Sequence, residues 1–187
     1  KGRTILANDA PSDGRGDPTL IPPGPYALNA TPSETGAEAL DKVRATKRKR
    51  LAIVGFAPSS YRDAPFQNPE WEVWGLNEAY TLQGFSRADR WFELHIRQEV
   101  DISTRDPNHI NWLRSRRDMP IYMIRGFADI PMAVDYPIRQ IVQKYGQYLT
   151  NSITDMILLG VEEGFETIGV WGVDMAQGGV WGQPSEY

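Results

Sequence analysis

The chain has 187 residues, is 41% hydrophobic and 11% aromatic, and carries a formal net charge of −4 with no cysteine and two histidines. That length supports one domain burying about two thirds of its unfolded surface. Disulfides, thiol catalysis and Cys-based metal sites are excluded, a His-rich metal centre is disfavoured, and no apolar run reaches the roughly 20 residues that span a bilayer.

In chain order, residues 1–50 read as an extended arm or linker, rich in Pro and Gly (Pro22-Pro-Gly-Pro25) and ending in Lys47-Arg-Lys-Arg50. They hold nine basic against six acidic residues, leaving eleven against eighteen for 51–187. An acidic folded part argues against a broad grip on nucleic acid. The arm is the expected route to a protein partner. The start at Lys1 and the polar end at Tyr187 read as cuts from a longer chain, and the composition fits a cytoplasmic setting.

From Leu51 onward strand-like and helix-like patterns alternate, which predicts an α/β, Rossmann-like, mostly parallel sheet with helices on both faces over 51–187. Strands are predicted at about 51–54, 71–76, 89–94, 120–124 and 167–173, and helices at about 107–117, 137–146 and 152–163. In the last helix Ser152 is the expected cap, Asp155 its partner three residues on, and Gly164 the stop.

Residues that follow parallel strands meet along one edge, where such sheets bind ligands. Here these are Gly55, Ser59 and Ser60 after the first strand, Asn77 after the second, then His95, Arg125 and Asp174. The small, hydroxyl-bearing loop Gly55-Phe-Ala-Pro-Ser-Ser60 suits a phosphate. Asn77 can pair with a base or sugar through its amide, although a turn or helix-capping asparagine looks the same.

His95 ends Asp89-Arg-Trp-Phe-Glu-Leu-His and is the candidate general base, with Glu93 on the same side of the strand as an orienting group. His109, in a polar helix start, reads as a surface residue. Asn151 and Ser152 open the last helix, whose free amides suit an anion. Asp174 is placed to hold a ribose hydroxyl or an amine. Trp181 is a further candidate for lining a ligand pocket. Walker A, complete G-x-G-x-x-G, G-x-S-x-G and Asp-x-Asp signatures are all absent.

Three regions, the last made of two segments, together resemble bacterial lipooligosaccharide sialyltransferases and related Rossmann-like proteins, including uncharacterised phage-encoded relatives. Ile53-Val-Gly-Phe-Ala-Pro-Ser59 is similar to the family's strand and G-N-G-P-S loop, and Trp74-Gly-Leu-Asn77 to its strand ending in Asn. Thr150-Asn-Ser-Ile-Thr-Asp-Met156 and Glu163-Gly-Phe-Glu-Thr-Ile-Gly-Val-Trp-Gly-Val-Asp174 are similar to its T-S-G helix and G-I-D strand. The resemblance covers about residues 51–176. It implies a metal-independent glycosyltransferase-like protein without a cofactor, taking a nucleotide sugar as donor substrate at Gly55, Ser59, Asn77, Ser152 and Asp174. A phage-encoded form would act in the host cytoplasm or the virion. Phe56 and Ala57 stand where the family has Asn and Gly, and no histidine follows His109 to match the family's downstream base. A non-catalytic nucleotide-binding or structural phage component, docking through residues 1–50, is the alternative expectation.

Overall fold

A computed structural model describes residues 34–101, 106–147 and 151–174. Within them, β1 (Arg50–Val54), β2 (Trp71–Leu76), β3 (Arg90–Glu93), β4 (Ile121–Met123), β5 (Ala133–Asp135) and β6 (Thr167–Trp171) form one sheet in the order β5-β4-β3-β2-β1-β6. Every neighbouring pair is parallel. The fold is therefore the expected α/β, Rossmann-like arrangement. β5 is the strand that sequence patterning does not mark: three residues between Pro131 and Pro137 are too few to show a period of two.

The strands alternate cleanly. Leu51, Ile53, Trp74, Leu76, Phe92, Tyr122 and Val134 share one core layer with Met156, Leu159 and Ile141 of the helices α5 (Ser152–Glu162) and α4 (Ile138–Tyr145). On the opposite face Trp91, Ile121, Met123 and Ala133 pack with Val100 and Leu113 of α2 (Arg97–Asp101) and α3 (His109–Ser115). Ala52, Val54 and Val73 pack there under Tyr61 and Phe66. Both faces of a parallel sheet are thus covered by helices or turns.

The helix α1 (Glu34–Ala45) lies inside the stretch read as an arm, so the folded unit begins before residue 50. Its Leu40 is buried in the α4/α5 layer, and Gly36 approaches the Met132 and Ala133 carbonyls so closely that a β-carbon would collide with them. The apolar face at Gly36, Ala39, Leu40 and Val43 has helical spacing, but the Pro/Gly-rich sequence ahead of it hides the pattern. Residues 1–33 and Trp181 lie outside the described residues.

From β1 to β5 each strand is laid beside the last. The chain then returns through α4 and α5 to the far side of β1 and adds β6. The winding direction reverses between β1 and β6, the position at which open α/β sheets generally bind ligands at the carboxyl ends of their strands.

The cap of α5 differs from expectation. Asn151 is the N-cap, its Oδ1 accepting from the Thr154 amide at 2.9 Å and hydroxyl at 3.3 Å, and Ser152 is already helical. Asp155 is not a capping partner: it is 8% exposed, its Oδ1 has no hydrogen-bond partner, and burial pushes its carboxyl above the ordinary range. An Asn151→Ala variant is expected to lose about 1 kcal/mol of stability, read as a lower urea midpoint at unchanged m-value.

Candidate active site

Across the sheet the strand ends present Arg125 after β4, His95 after β3, Asn77 after β2, Gly55 to Ser60 after β1, and Asp174 after β6. Neighbouring strands are about 4.8 Å apart, so β3 and β6, which lead to His95 and Asp174, lie three spacings, roughly 14 Å, apart.

At this boundary, backbone pairing runs past the ends of β1 and β6. The Gly55 amide donates to the Trp171 carbonyl at 2.8 Å, and the Ala57 amide to the Gly172 carbonyl at 2.7 Å. Gly172 has φ +66°, and a β-carbon on either glycine would run into the other's carbonyl. The room that Gly55 provides is therefore filled by the β6 backbone and is not an open cradle for phosphate. Ser60 Oγ accepts from the Gly172 amide at 2.9 Å and retains its own proton for donation. Ser59 Oγ makes a short hydrogen bond to Asp174 Oδ1. Of the residues singled out from sequence, Ser59, Ser60 and Asp174 thus converge across the β1/β6 boundary.

Asn77 turns the chain in the left-handed region, φ +49°, which asparagine tolerates better than most residues. Its amide donates to the Phe92 carbonyl at 2.9 Å and its carbonyl accepts from Trp91 Nε1 at 3.1 Å. The backbone alone makes the turn. The side-chain Oδ1 is buried without a hydrogen-bond partner among the described residues. Asn151 and Ser152 are placed at the start of α5, with the Asn151 side chain committed to its cap.

The most developed chemistry surrounds His95. The carboxylate of Glu93 is 1% exposed, and its Oε1 sits 2.6 Å from His95 Nδ1 and 3.3 Å from the His95 amide. The turn at the end of β3 closes both contacts within two residues, which alternation along a straight strand would not. His95 itself is 46% exposed. The hydrogen bond to Glu93 raises the His95 imidazole above its ordinary value, against a smaller effect of burial. Burial alone would raise Glu93, but hydrogen bonds from His109 and His95 hold it below the usual carboxylate range.

His109 is not a surface residue. It is 1% exposed, with Nε2 2.7 Å from Glu93 Oε2 and Nδ1 3.2 Å from the Tyr80 hydroxyl. Tyr80, in the short 3₁₀ turn Ala79–Thr81, makes a short hydrogen bond to Asp106. The missed residues are Glu93 as a two-sided acceptor, Tyr80, Asp106 and the burial of His109. A signal existed for the last: His109 and Leu113 lie four apart in α3 and are both buried.

A separate concave region, of about 450 Å³, lies at the opposite end of the sheet, lined by Arg44, Lys47, Arg48 and Lys49 above Arg90 and Glu163. Among the described residues no group of three or more His, Asp or Glu side chains converges as a metal-ligand set, and no helix is long and apolar enough to cross a membrane. No protein-family model, curated protein or solved structure matches the chain.

Proposed function

We propose that the carboxyl edge of the sheet binds a nucleotide or nucleotide sugar and that the protein is a metal-independent, glycosyltransferase-like enzyme with His95 as general base. The observation that carries this reading is the pair at the end of β3: a half-exposed imidazole whose Nδ1 is held 2.6 Å from a buried carboxylate. A carboxylate on Nδ1 keeps the proton there and leaves Nε2 to take one from an acceptor hydroxyl. Ser59 and Asp174 supply hydroxyl and carboxylate groups for ribose and phosphate, and Asn77 stands at the end of β2 for the base, one to three strands away.

The test is a thermal-shift panel of the full chain with CMP, UMP, UDP, GDP, ATP and NAD at millimolar concentration. The full chain is needed because a cut at residue 51 would remove α1, whose Leu40 is part of the core. A selective rise is expected, equivalent to about 2.7 kcal/mol when ligand exceeds its Kd 100-fold. No rise with any nucleotide from a folded protein overturns the reading.

The second reading is a non-catalytic nucleotide-binding or structural phage component that docks through its N-terminal residues. One observation favours it: the phosphate cradle expected at Gly55 is occupied by the Gly172 backbone. Under that reading deletion of residues 1–33 abolishes partner capture and leaves the fold intact.

A further inference from the structure

Two histidines flank one buried carboxylate, and proton counting along the chain behind it is restrictive. The Tyr80 hydroxyl has a single proton, and burial together with its hydrogen bond to Asp106 raises the phenol well above its ordinary value, so it stays a donor. That proton is spent on Asp106, whose carboxylate also accepts from the Asn108 amide at 2.9 Å and is held below its ordinary range, chiefly by Tyr80. The Tyr80 oxygen can then only accept at its 3.2 Å contact, so His109 Nδ1 bears a proton.

With that proton fixed, a bare Nε2 would face a bare carboxylate oxygen at 2.7 Å in a buried site, two acceptors in contact. A second proton must therefore lie between His109 and Glu93. Whether it is nearer nitrogen or oxygen, the His109–Glu93 pair is neutral as a unit and Glu93 Oε1 remains an acceptor toward His95 Nδ1. The ring of His109 cannot turn away, because it is stacked within 12° of Tyr80 and within 15° of Trp112, and those two rings stack on each other at 4.0 Å.

We infer that His109, backed by Tyr80 and Asp106, is a positioning residue: it stores one buried proton against Glu93, orients that carboxylate, and through it sets the tautomer and proton affinity of His95. This rests on the reading of His95 as the base, but its test needs no substrate. The other charged groups facing His95 are Glu78, after β2, and Glu99 on α2; those facing His109 are Glu93, Tyr80 and Asp106.

The experiment is a ¹⁵N-edited NMR titration of the imidazoles in the full, ligand-free chain. It is tractable because there are only two histidines, assigned with a His95→Gln variant. Tyr80→Phe keeps the aromatic stack but removes the oxygen that accepts from Nδ1. His109 is then free to become a neutral Nε2–H donor, the pair carries one proton fewer, and Glu93 presents a full charge to His95.

The His95 midpoint is expected to rise by about one unit in Tyr80→Phe and to fall by about one unit in Glu93→Gln. Asp106→Ala, which returns the Tyr80 proton to His109 Nδ1, is expected to move it upward as well and decides the matter if Tyr80→Phe does not fold. A His95 midpoint that stays put or falls in the folded Tyr80 or Asp106 variant overturns the inference and leaves His109 a packing residue. An upward shift in a protein that binds no nucleotide would keep the relay and reject the transferase reading.

Discussion

His95→Ala is expected to lower the rate of transfer by about 10²- to 10⁴-fold, the usual worth of a positioned base, while nucleotide affinity stays within a few-fold. The reason is placement. His95 follows β3, whereas the groups assigned to the nucleotide follow β2, β1 and β6. Equal loss of binding and transfer would identify His95 as structural.

The pH profile carries a second signature. The base must be unprotonated, so activity rises with pH through a midpoint above the ordinary histidine value, since Glu93 raises it. Glu93→Gln moves that limb to lower pH. Stability runs the other way. The ion pair with protonated His95 is fully present below the unfolded-state histidine pKa and is lost as pH rises through the folded one. The contribution of Glu93, whose value is lowered, is present above the unfolded-state glutamate pKa and is lost as pH falls through its folded value. Denaturation midpoints measured from acid to mildly alkaline pH check both signs.

Arg90→Leu is expected to destabilise the protein by about 3–5 kcal/mol, enough to leave a marginal domain largely unfolded. The Arg90 side chain is 1% exposed, with Nε 2.5 Å from Glu72 and its terminal nitrogens 2.7 and 2.8 Å from Glu163. It lies over the Trp74 ring at 4.9 Å, and Trp74 Nε1 donates to the same Glu72 oxygen. Burial lifts Glu72 above its ordinary range even with Arg90 present, so removing the cation strands a carboxylate in the core. Glu163 keeps Arg44 at 2.6 Å and loses less. The paired change Arg90→Leu with Glu72→Leu is therefore expected to recover much of the loss, because an apolar pair of similar volume replaces a buried ion pair at little net cost. If the double variant is no more stable than the single one, the cluster is held by Glu163 alone.

What could be read from sequence, and what could not, follows from the range of the interactions. β1, β2, β3 and β6 announce themselves because short clusters of aliphatic and aromatic residues (Leu51-Ala-Ile-Val54, Val73-Trp74, Trp91-Phe92, Ile168-Gly-Val-Trp171) recur at strand spacing, and Asn77, His95 and Asp174 follow the last three of them. The closure of Gly55 against Gly172 joins residues more than a hundred positions apart and leaves no local mark; Gly55 in isolation looks like a phosphate turn. His109 was hidden by its neighbours, since Asp106, Asn108 and Asn111 make the start of α3 look solvated although its one inward face carries the imidazole to Glu93. The position of Asn151 as cap turned on one residue of helix register.

The two halves of the candidate site rest on different parts of the sheet. Glu93 and His109 are held between inner strands and α3, whereas Asp174 follows β6, an edge strand with partly exposed side chains, and Val170 and Val173 are each 40% exposed. Detaching an edge strand costs less free energy than unfolding the whole domain. The His95–Glu93–His109 cluster and the serine–aspartate contact are therefore expected to open separately, with amide hydrogen exchange along β6 running ahead of that along β3.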